Sequence, residues 1–176
     1  MINNSEKTGA EGRAPEEMSC YKLLDGLGVG YTRLDHEAAF TMEACQEIER
    51  QLDTEICKNL FLCNRQKTSF YLLLMPGDKP FKTKDLSKEI GSSRLSFAGE
   101  EHMKELLGVT PGSVSVLGLM NDRDKRVRLL IDKDVLGKES FGCHPCRNTS
   151  SVKFSTSDLT EKVIPALGHE YTEVEL

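Results

Sequence analysis

Two apolar runs joined by a short polar turn constrain the fold of this 176-residue chain more than any other feature. The runs are CKNLFLCN at 57–64 and SFYLLLMP at 69–76, and RQKT separates them. Apolar segments of roughly four to eight residues bounded by polar turns are typical of strands, and two that lie this close in sequence pair with each other. The sequence therefore predicts a β-hairpin here.

Helical and strand-like segments are mixed along the rest of the chain. We expect helices at 15–28, 41–52 (with Thr41 as N-cap), 84–91, 99–108 and 158–168, and strands at 30–36, 113–121, 126–136 and 151–155. The strands at 113–121 and 126–136 are predicted to form a second hairpin. Because the pattern lacks a regular βαβ alternation, it favours an α+β fold, with helices packed on a mixed, mostly antiparallel twisted sheet.

The N-terminal segment differs from the rest. Residues 1–16 are polar and show no periodicity, so we expect a disordered tail followed by one domain over 17–176. No apolar run approaches the roughly 18 residues that span a membrane, and the first residues have no apolar core typical of a secretory signal. The sequence therefore predicts a cytoplasmic protein that contacts no membrane and whose cysteines stay reduced.

The charge distribution leaves nucleic-acid binding open. The net charge of −5 argues against a protein that coats nucleic acid through its overall field. Two stretches are nevertheless basic: 79–88 has four lysines against one aspartate, and 121–133 has five basic residues against three aspartates. Either stretch could be ordinary solvated surface or could hold the end of a nucleic acid.

The segment SFGCHPCRNTSS at 140–151 concentrates residues that bind metals or carry out chemistry. Cys143 and Cys146 have the spacing of a zinc-ligand pair, but four ligands are needed and only Cys57 and Cys63 offer a second pair. A cysteine nucleophile would need a base, and the adjacent His144 would point the opposite way on an extended segment. The third interpretation is that both cysteines simply pack in the interior. We expect neither a metal nor a cofactor.

Familiar catalytic motifs are absent from the sequence, which has no GxSxG elbow, Walker loop, GxGxxG or HExxH. An enzyme built on this chain would therefore act by positioning and electrostatics. Lys58 interrupts an apolar strand, where it is either functional or extends to water at the strand edge. GVTPGSVSVLG at 108–118 is either an ordinary turn or one whose backbone N–H groups contact a carbonyl or phosphate.

Several segments taken together resemble one family. KNLFLCN, IGSSRLSFA, LLGVTPGSVSVLGLMND, RVRLLIDKDVL and HPCRNTSSV occur in the order, and at about the spacing, of the freestanding prolyl-tRNA editing proteins. These are the ProX/PrdX-type members of the YbaK-like aminoacyl-tRNA deacylase superfamily. LDHEAAFTMEA is also similar, with His36-Glu37 where the family usually has His-Pro. The resemblance covers roughly residues 20–176 and implies a single editing domain.

The resemblance implies roles for particular residues. Lys58 matches the family's essential lysine, Gly112 the glycine of a GxxxP loop whose backbone contacts the ester, and His144 a conserved histidine. These three are the implied catalytic residues. The family's substrate-binding positions are matched by Asn59, Arg94, Ser96 and Asn148, and Phe40 is a candidate wall of the amino-acid pocket.

The implied reaction is hydrolysis of the ester between a wrongly attached amino acid and the tRNA for proline. The amino acid is typically alanine in the ProX branch, and Val116 replaces the loop proline here, as it often is replaced in alanine-editing relatives. An activated ester needs only donors aimed at the oxyanion and a positioned water, which the tRNA ribose hydroxyl is thought to assist. Lys58 would then anchor substrate and stabilise charge, and a small apolar pocket would exclude the proline ring.

Two other functions stay open: a deacylase for Cys-tRNA(Pro), and a non-catalytic module that binds tRNA ends. The expected partner is mischarged proline tRNA through its 3′ aminoacyl end, with prolyl-tRNA synthetase as a second candidate. The sequence does not distinguish a monomer from a homodimer.

Overall fold

The computed structural model describes residues 2–4, 13–39 and 41–176. Within these residues the strands β1 to β9 lie at Ile2–Asn4, Thr32–Asp35, Lys58–Asn64, Phe70–Met75, Leu95–Phe97, Val127–Asp132, Ser140–Cys143, Ser150–Ser155 and Tyr171–Val174. The helices α1 to α7 lie at Pro15–Gly26, Met42–Leu52, Thr83–Ile90, Glu100–His102, Lys133–Leu136, Thr156–Asp158 and Ile164–Ala166. Helical turns of π type follow α4 at Met103–Leu107 and α6 at Leu159–Val163, and a 3₁₀ helix spans Val116–Asn121.

The strands form two sheets. One is antiparallel, in the order β1-β2-β8-β7, and the other is mixed, in the order β5-β3-β4-β6-β9. In the mixed sheet β6 runs parallel to β4 and β9, while β3 is antiparallel to β4 and β5. The predicted α+β class with mostly antiparallel pairing is confirmed, although the strands divide between two sheets.

The predicted hairpin over 57–76 is confirmed. β3 and β4 pair in antiparallel register, beginning with Lys58 opposite Met75. All six residues of β4 are buried, because successive side chains enter different hydrophobic clusters on the two faces of the sheet. Burial of both faces explains the continuous apolar run in the sequence.

The predicted second hairpin is wrong in its first half. Residues 116–121 form the 3₁₀ helix, and β6 pairs in parallel with β4. Ser115 caps this helix, since its hydroxyl accepts a hydrogen bond from the Leu117 N–H at 3.2 Å. Gly118 packs closely against the π-type turn at Met103–Leu107. A β-carbon at Gly118 would lie 2.9 Å from the Leu107 carbonyl oxygen. The serine cap and this close contact outweigh the strand propensity of the valines.

The two long N-terminal helices follow capping signals that the sequence displays. α1 begins with Pro15 and buries Cys20, Tyr21 and Leu24. α2 begins after Thr41, whose hydroxyl accepts a hydrogen bond from the Ala44 N–H at 3.1 Å, as predicted. Across the described ranges, helices fall short of the length and apolarity needed to cross a bilayer.

The predicted disordered tail falls largely outside the described residues. Of its described parts, residues 2–4 pair with β2, and Arg13 precedes α1. The Arg13 guanidinium donates to both carboxylate oxygens of Asp35, at 2.9 and 2.7 Å, and lies 3.0 Å from Glu17. These contacts join the segment before α1 to the end of β2.

A parallel bridge between Ile56 and Gly142 joins the two sheets. The Cys57 N–H donates to the Gly142 carbonyl at 3.1 Å. The backbone packs so closely here that two glycines leave no space for a side chain. A β-carbon at Gly142 would lie 2.7 Å from the Glu55 carbonyl oxygen, and one at Gly77 would lie 2.9 Å from the Ile56 carbonyl oxygen. This junction gathers the start of β3 and the ends of β4 and β7 in one place.

Candidate active site

A cavity of about 540 Å³ lies at this junction. It is lined by Lys58 from the start of β3, His144 from the end of β7, and Gly77 and Asp78 from the end of β4. Ala39 and residues of α2 line another side. The volume lies within the roughly 300–1,000 Å³ that is usual for small-molecule sites. Two of the predicted catalytic residues, far apart in sequence, therefore share one cavity.

The Lys58 side chain is held at this cavity by the backbone. Its Nζ donates to the Lys79 carbonyl oxygen at 2.6 Å. Because an ammonium carries three N–H donors, two remain for a ligand. The carboxylates of Glu49, Glu55 and Asp78 also line the cavity, so it presents charges of both signs.

Hydrogen bonding fixes the tautomer of His144. Its Nδ1 lies 2.9 Å from the Ser150 carbonyl oxygen and 3.2 Å from the Ser151 hydroxyl. A carbonyl oxygen can only accept, so Nδ1 carries the proton. In the neutral ring Nε2 is then unprotonated, and His144 offers a hydrogen-bond acceptor to the cavity that it lines.

The environment of His144 keeps its ring neutral. Burial lowers the pKa of His144 below its ordinary value of 6.5, and the nearby His36 ring acts in the same direction. At neutral pH the Nε2 lone pair is therefore available.

His36 and Ser151 belong to this site, although the sequence did not single them out as site residues. His36 Nδ1 lies 2.7 Å from the Glu37 carbonyl oxygen, so it donates and leaves Nε2 to accept from the Ser151 O–H at 2.8 Å. The Ser151 oxygen in turn accepts from His144, whose ring centroid lies 6.0 Å from that of His36. The available sequence signals were the LDH segment and the serine pair that begins β8.

Asn59 joins β3 to the glycine loop. Its Oδ1 accepts from the Val116 N–H at 3.0 Å, and its Nδ2 donates to the Cys57 carbonyl at 3.0 Å. The end of the loop is thereby fixed to the start of β3, on the face of the sheet opposite to that of the Lys58 side chain.

Gly112 lies in the turn at the start of this loop. Its φ of 85° is in the left-handed region that glycine adopts readily, and the Ser113 N–H donates to the Thr110 carbonyl at 3.0 Å. Gly112 is exposed and is not among the described residues that line the cavity. Its contact with a substrate stays a prediction.

Replacing Asn59 with alanine is expected to loosen the glycine loop. The buried Val116 N–H would lose its acceptor, at a cost of about 2 kcal/mol and a fall of about 6 °C in Tm. Asn59→Asp keeps an acceptor for the Val116 N–H and loses only the donor to the Cys57 carbonyl. Its Tm should therefore lie between the Tm of the wild type and that of Asn59→Ala. Thermal unfolding followed by circular dichroism measures both, and an unchanged Tm in Asn59→Ala would contradict the assignment.

Asn148 positions a wall of the cavity. Its Oδ1 accepts from the backbone N–H of Ala39 at 3.3 Å, and Ala39 lines the cavity. Phe40, the predicted pocket wall, lies outside the described residues.

Arg94 and Ser96 lie away from the cavity. Ser96 pairs with Cys63, near the opposite end of β3 from Lys58 and roughly 17 Å from it along the strand. Both side chains are exposed at the β5 edge. The structure does not bring them together with Lys58 and His144, so direct substrate contact by them stays a prediction.

The cysteine pair of the 140–151 segment lies in the core. Cys143 and Cys146 are 0% and 2% exposed, and the Cys146 sulfur lies 3.5 Å from that of Cys20. Burial raises the pKa of Cys143 and raises that of Cys57, at the cavity, to about 12, so neither is an activated thiolate. Among the residues with described positions, His, Cys, Asp and Glu form no group of three or more that could hold a metal ion. Interior packing explains Cys143 and Cys146.

Residues 36–162 match the aminoacyl-tRNA editing domain family. This range contains both sides of the cavity, from His36 and α2 through β3 to His144 and Ser151.

Individual relatives agree with this match. The chain is 35% identical over 153 residues to the prolyl-tRNA editing protein ProX of Acetoanaerobium sticklandii. The aligned region covers 87% of this chain and 93% of that protein. It is 31% identical over 102 residues to a proline–tRNA ligase of Methylobacillus flagellatus, covering 56% of this chain and 17% of the ligase. A solved structure provisionally described as a trans-editing enzyme for prolyl-tRNA synthetase has the same fold, with a TM-score of 0.69 at 17% identity over 94% of this chain and 99% of that one. The chain therefore belongs to the family of aminoacyl-tRNA editing domains and, within it, to the prolyl-tRNA editing proteins.

Proposed function

We propose that this protein hydrolyses the ester that links alanine to mischarged proline tRNA, acting in trans on the released aminoacyl-tRNA. The observation that carries the proposal is the cavity that Lys58 and His144 both line, in a chain of the editing family. The hydrogen bond from Nδ1 to the Ser150 carbonyl leaves Nε2 of His144 as an acceptor.

Lys58 anchors the substrate and stabilises charge in this mechanism. One of its N–H groups is already used by the Lys79 carbonyl, which orients the other two. As water adds to the ester carbonyl, negative charge develops on the carbonyl oxygen, and a fixed ammonium stabilises it more than it stabilises the neutral ester. Lys58 is positively charged throughout and removes no proton.

His144 handles the proton. Its Nε2 accepts a hydrogen bond from the attacking water and takes the proton as the oxygen–carbon bond forms. When the tetrahedral intermediate collapses, the bond between the carbonyl carbon and the ribose oxygen breaks. The ribose oxygen then takes the proton from Nε2 of His144. The products are free alanine and uncharged tRNA. Ser151 and His36 hold the ring in the tautomer that this step needs.

An apolar wall of the cavity is the proposed pocket for the amino-acid side chain. Ala39, Ile56, Cys57 and Gly77 line the cavity, and a side chain at Gly77 is excluded by the Ile56 carbonyl. A proline ring attached to its own tRNA would need more room than an alanine methyl group. Exclusion of this kind discriminates more sharply than a preference for one extra methylene, which is worth only about 1–3 kcal/mol.

The partner in this proposal is the 3′ aminoacyl end of proline tRNA, and the setting is the cytoplasm. A proline–tRNA ligase contains a segment that is similar to this chain, which supports a functional connection with prolyl-tRNA synthetase. In this proposal the protein acts in trans and is not part of the synthetase chain.

A deacylation panel tests the function. Purified protein is incubated with alanyl-, cysteinyl- and prolyl-tRNA(Pro), and the released amino acid is measured against buffer hydrolysis. We expect rapid release of alanine and no release of proline. Faster release of cysteine than of alanine would assign the protein as a Cys-tRNA(Pro) deacylase. Binding of all three without turnover would make it a tRNA-end binding module.

A further inference from the structure

We propose that Phe97, supported by Phe81, is a stacking platform for the unpaired bases that precede the aminoacylated adenosine of the tRNA. This inference rests on the proposed function, because it extends the binding site from the aminoacyl end along the same RNA strand. It gives a role to the exposed β5 edge, which the cavity chemistry does not use.

Phe97 is unusually exposed for a large apolar side chain. It is 58% exposed, although β5 belongs to a sheet whose other apolar side chains are mostly buried. The Phe81 ring lies against it edge to face, with centroids 6.0 Å apart at 66°. Phe81 is itself packed on the cluster that contains Leu62, so the pair has a fixed base and one open ring surface.

Phe97 and Lys58 lie on the same face of the mixed sheet. Phe97 is directly opposite Leu62 in the antiparallel β3–β5 pair, and opposed residues share a face. Leu62 lies four positions from Lys58 on β3, and side chains at even spacing point the same way. The separation along the strand is roughly 13 Å, a distance that a short stretch of single-stranded RNA can span.

A continuous chain segment connects the two positions. The Lys58 ammonium donates to the Lys79 carbonyl, and Pro80 then leads directly to Phe81. A nucleotide strand that leaves the cavity beside Lys79 therefore meets the Phe81–Phe97 pair next.

The local charge fits a nucleic-acid partner. Lys79 is paired with Asp132 and Asp134, at 2.9 and 2.8 Å. The following residues, 80–97, carry four cations against two anions, a net charge of +2 in a chain whose total is −5. Lys82 directly follows Phe81, Lys84 lies two positions further on, and both are exposed. An exposed aromatic ring beside free cations is the arrangement that binds single-stranded nucleic acid by base stacking and phosphate contact.

A tryptophan reporter tests stacking without any turnover. The chain contains no tryptophan and four tyrosines, so Phe97→Trp introduces a single tryptophan at the platform, which is excited selectively at wavelengths that tyrosine does not absorb. We expect saturable quenching by the single-stranded RNA trinucleotide CCA and none by inorganic polyphosphate, which carries charge without bases. Tyr171→Trp is the matched control, since Tyr171 is 39% exposed on β9, the opposite edge of the same sheet. It should not respond to CCA.

Kinetics test whether the platform serves the editing site. Phe97→Ala should raise KM for alanyl-tRNA(Pro) about 10-fold with little change in kcat, because stacking binds ground state and transition state alike. Its KM for alanyl-adenosine, which lacks the preceding nucleotides, should equal that of the wild type. Tyr171→Ala should leave both values unchanged.

Three results would overturn the platform. The first is an equal response of the two tryptophan reporters to CCA, and the second is an equal KM change for alanyl-tRNA and alanyl-adenosine. The third is a dimer that Phe97→Ala converts to a monomer in light scattering, which would make this face a subunit interface. If the wild type releases no amino acid from any tRNA, the proposed function fails, whereas CCA quenching of Phe97→Trp still decides the platform.

Discussion

Lys58→Ala should lower kcat/KM for alanyl-tRNA(Pro) about 100- to 1,000-fold, which is the range found when one transition-state donor is removed. The ammonium is a fixed positive charge at the cavity, and among the described residues it donates to the Lys79 carbonyl alone. Alanine removes the charge and leaves the Lys79 carbonyl free to bind water. Lys58→Arg retains charge with a different shape, so we expect only partial activity.

The matched control for Lys58 is Lys153. Its Nζ also donates to a backbone carbonyl, that of Asp53, at 2.9 Å, but Lys153 lies on β8 and is not among the described residues that line the cavity. Lys153→Ala should keep wild-type kinetics. Circular dichroism spectra and Tm values of both variants should match the wild type closely. Full activity in Lys58→Ala would remove Lys58 from the mechanism.

Replacing His144 should lower kcat about 100-fold, which is at the lower end of what a positioned proton acceptor contributes. His144→Asn is the informative variant, because its amide N–H can replace Nδ1 as donor to the Ser150 carbonyl but supplies no acceptor at the position of Nε2. We expect His144→Asn to fold with nearly the wild-type Tm and to be as inactive as His144→Ala. If His144→Asn is fully active while His144→Ala is not, the ring has a structural role only.

The same assignment predicts a pH profile for the wild type. Protonation of Nε2 removes the acceptor, and the pKa of His144 is lowered below 6.5 by burial. Wild-type kcat should therefore be level at and above neutral pH and fall only in acidic solution. The contribution of His144 to the free energy of unfolding also decreases in acid, because the unfolded chain binds this proton more readily than the folded chain does. The contribution is present above the unfolded-state pKa of about 6.5 and is lost as the pH falls through the folded-state pKa. A kcat that already falls between pH 8 and 7 would contradict this tautomer.

The sequence predicted the elements that depend on neighbouring residues. The β3–β4 hairpin was predictable because both runs and their turn lie within twenty positions, and α2 because Thr41 caps it locally. The 113–121 segment was mistaken for a strand because its valines and leucines have strand propensity. Its helix depends on packing against Leu107, which no local pattern displays.

The candidate site was predictable only in part, for the same reason. Lys58 was visible as a charge in an apolar run, and the family resemblance implied His144. Ser151 hydrogen-bonds to His36, 115 positions away in the sequence, and to His144, seven positions away. The pairing of β8 with both β2 and β7 brings the three side chains together, and no local pattern displays it. Conversely, Arg94 and Ser96 belong to a resembling motif, but β5 carries them to the far part of the sheet.

The junction at Ile56 and Gly142 gives the cavity a property that neither sheet has alone. Lys58 belongs to the mixed sheet, and His144 directly follows β7 of the antiparallel one, so a ligand that touches both spans the boundary between the sheets. A ligand that binds only when the two sheets are joined stabilises that state by mass action. Its binding free energy therefore adds to the free energy of unfolding of the protein. Binding of such a ligand and separation of the two sheets at this junction are therefore thermodynamically linked.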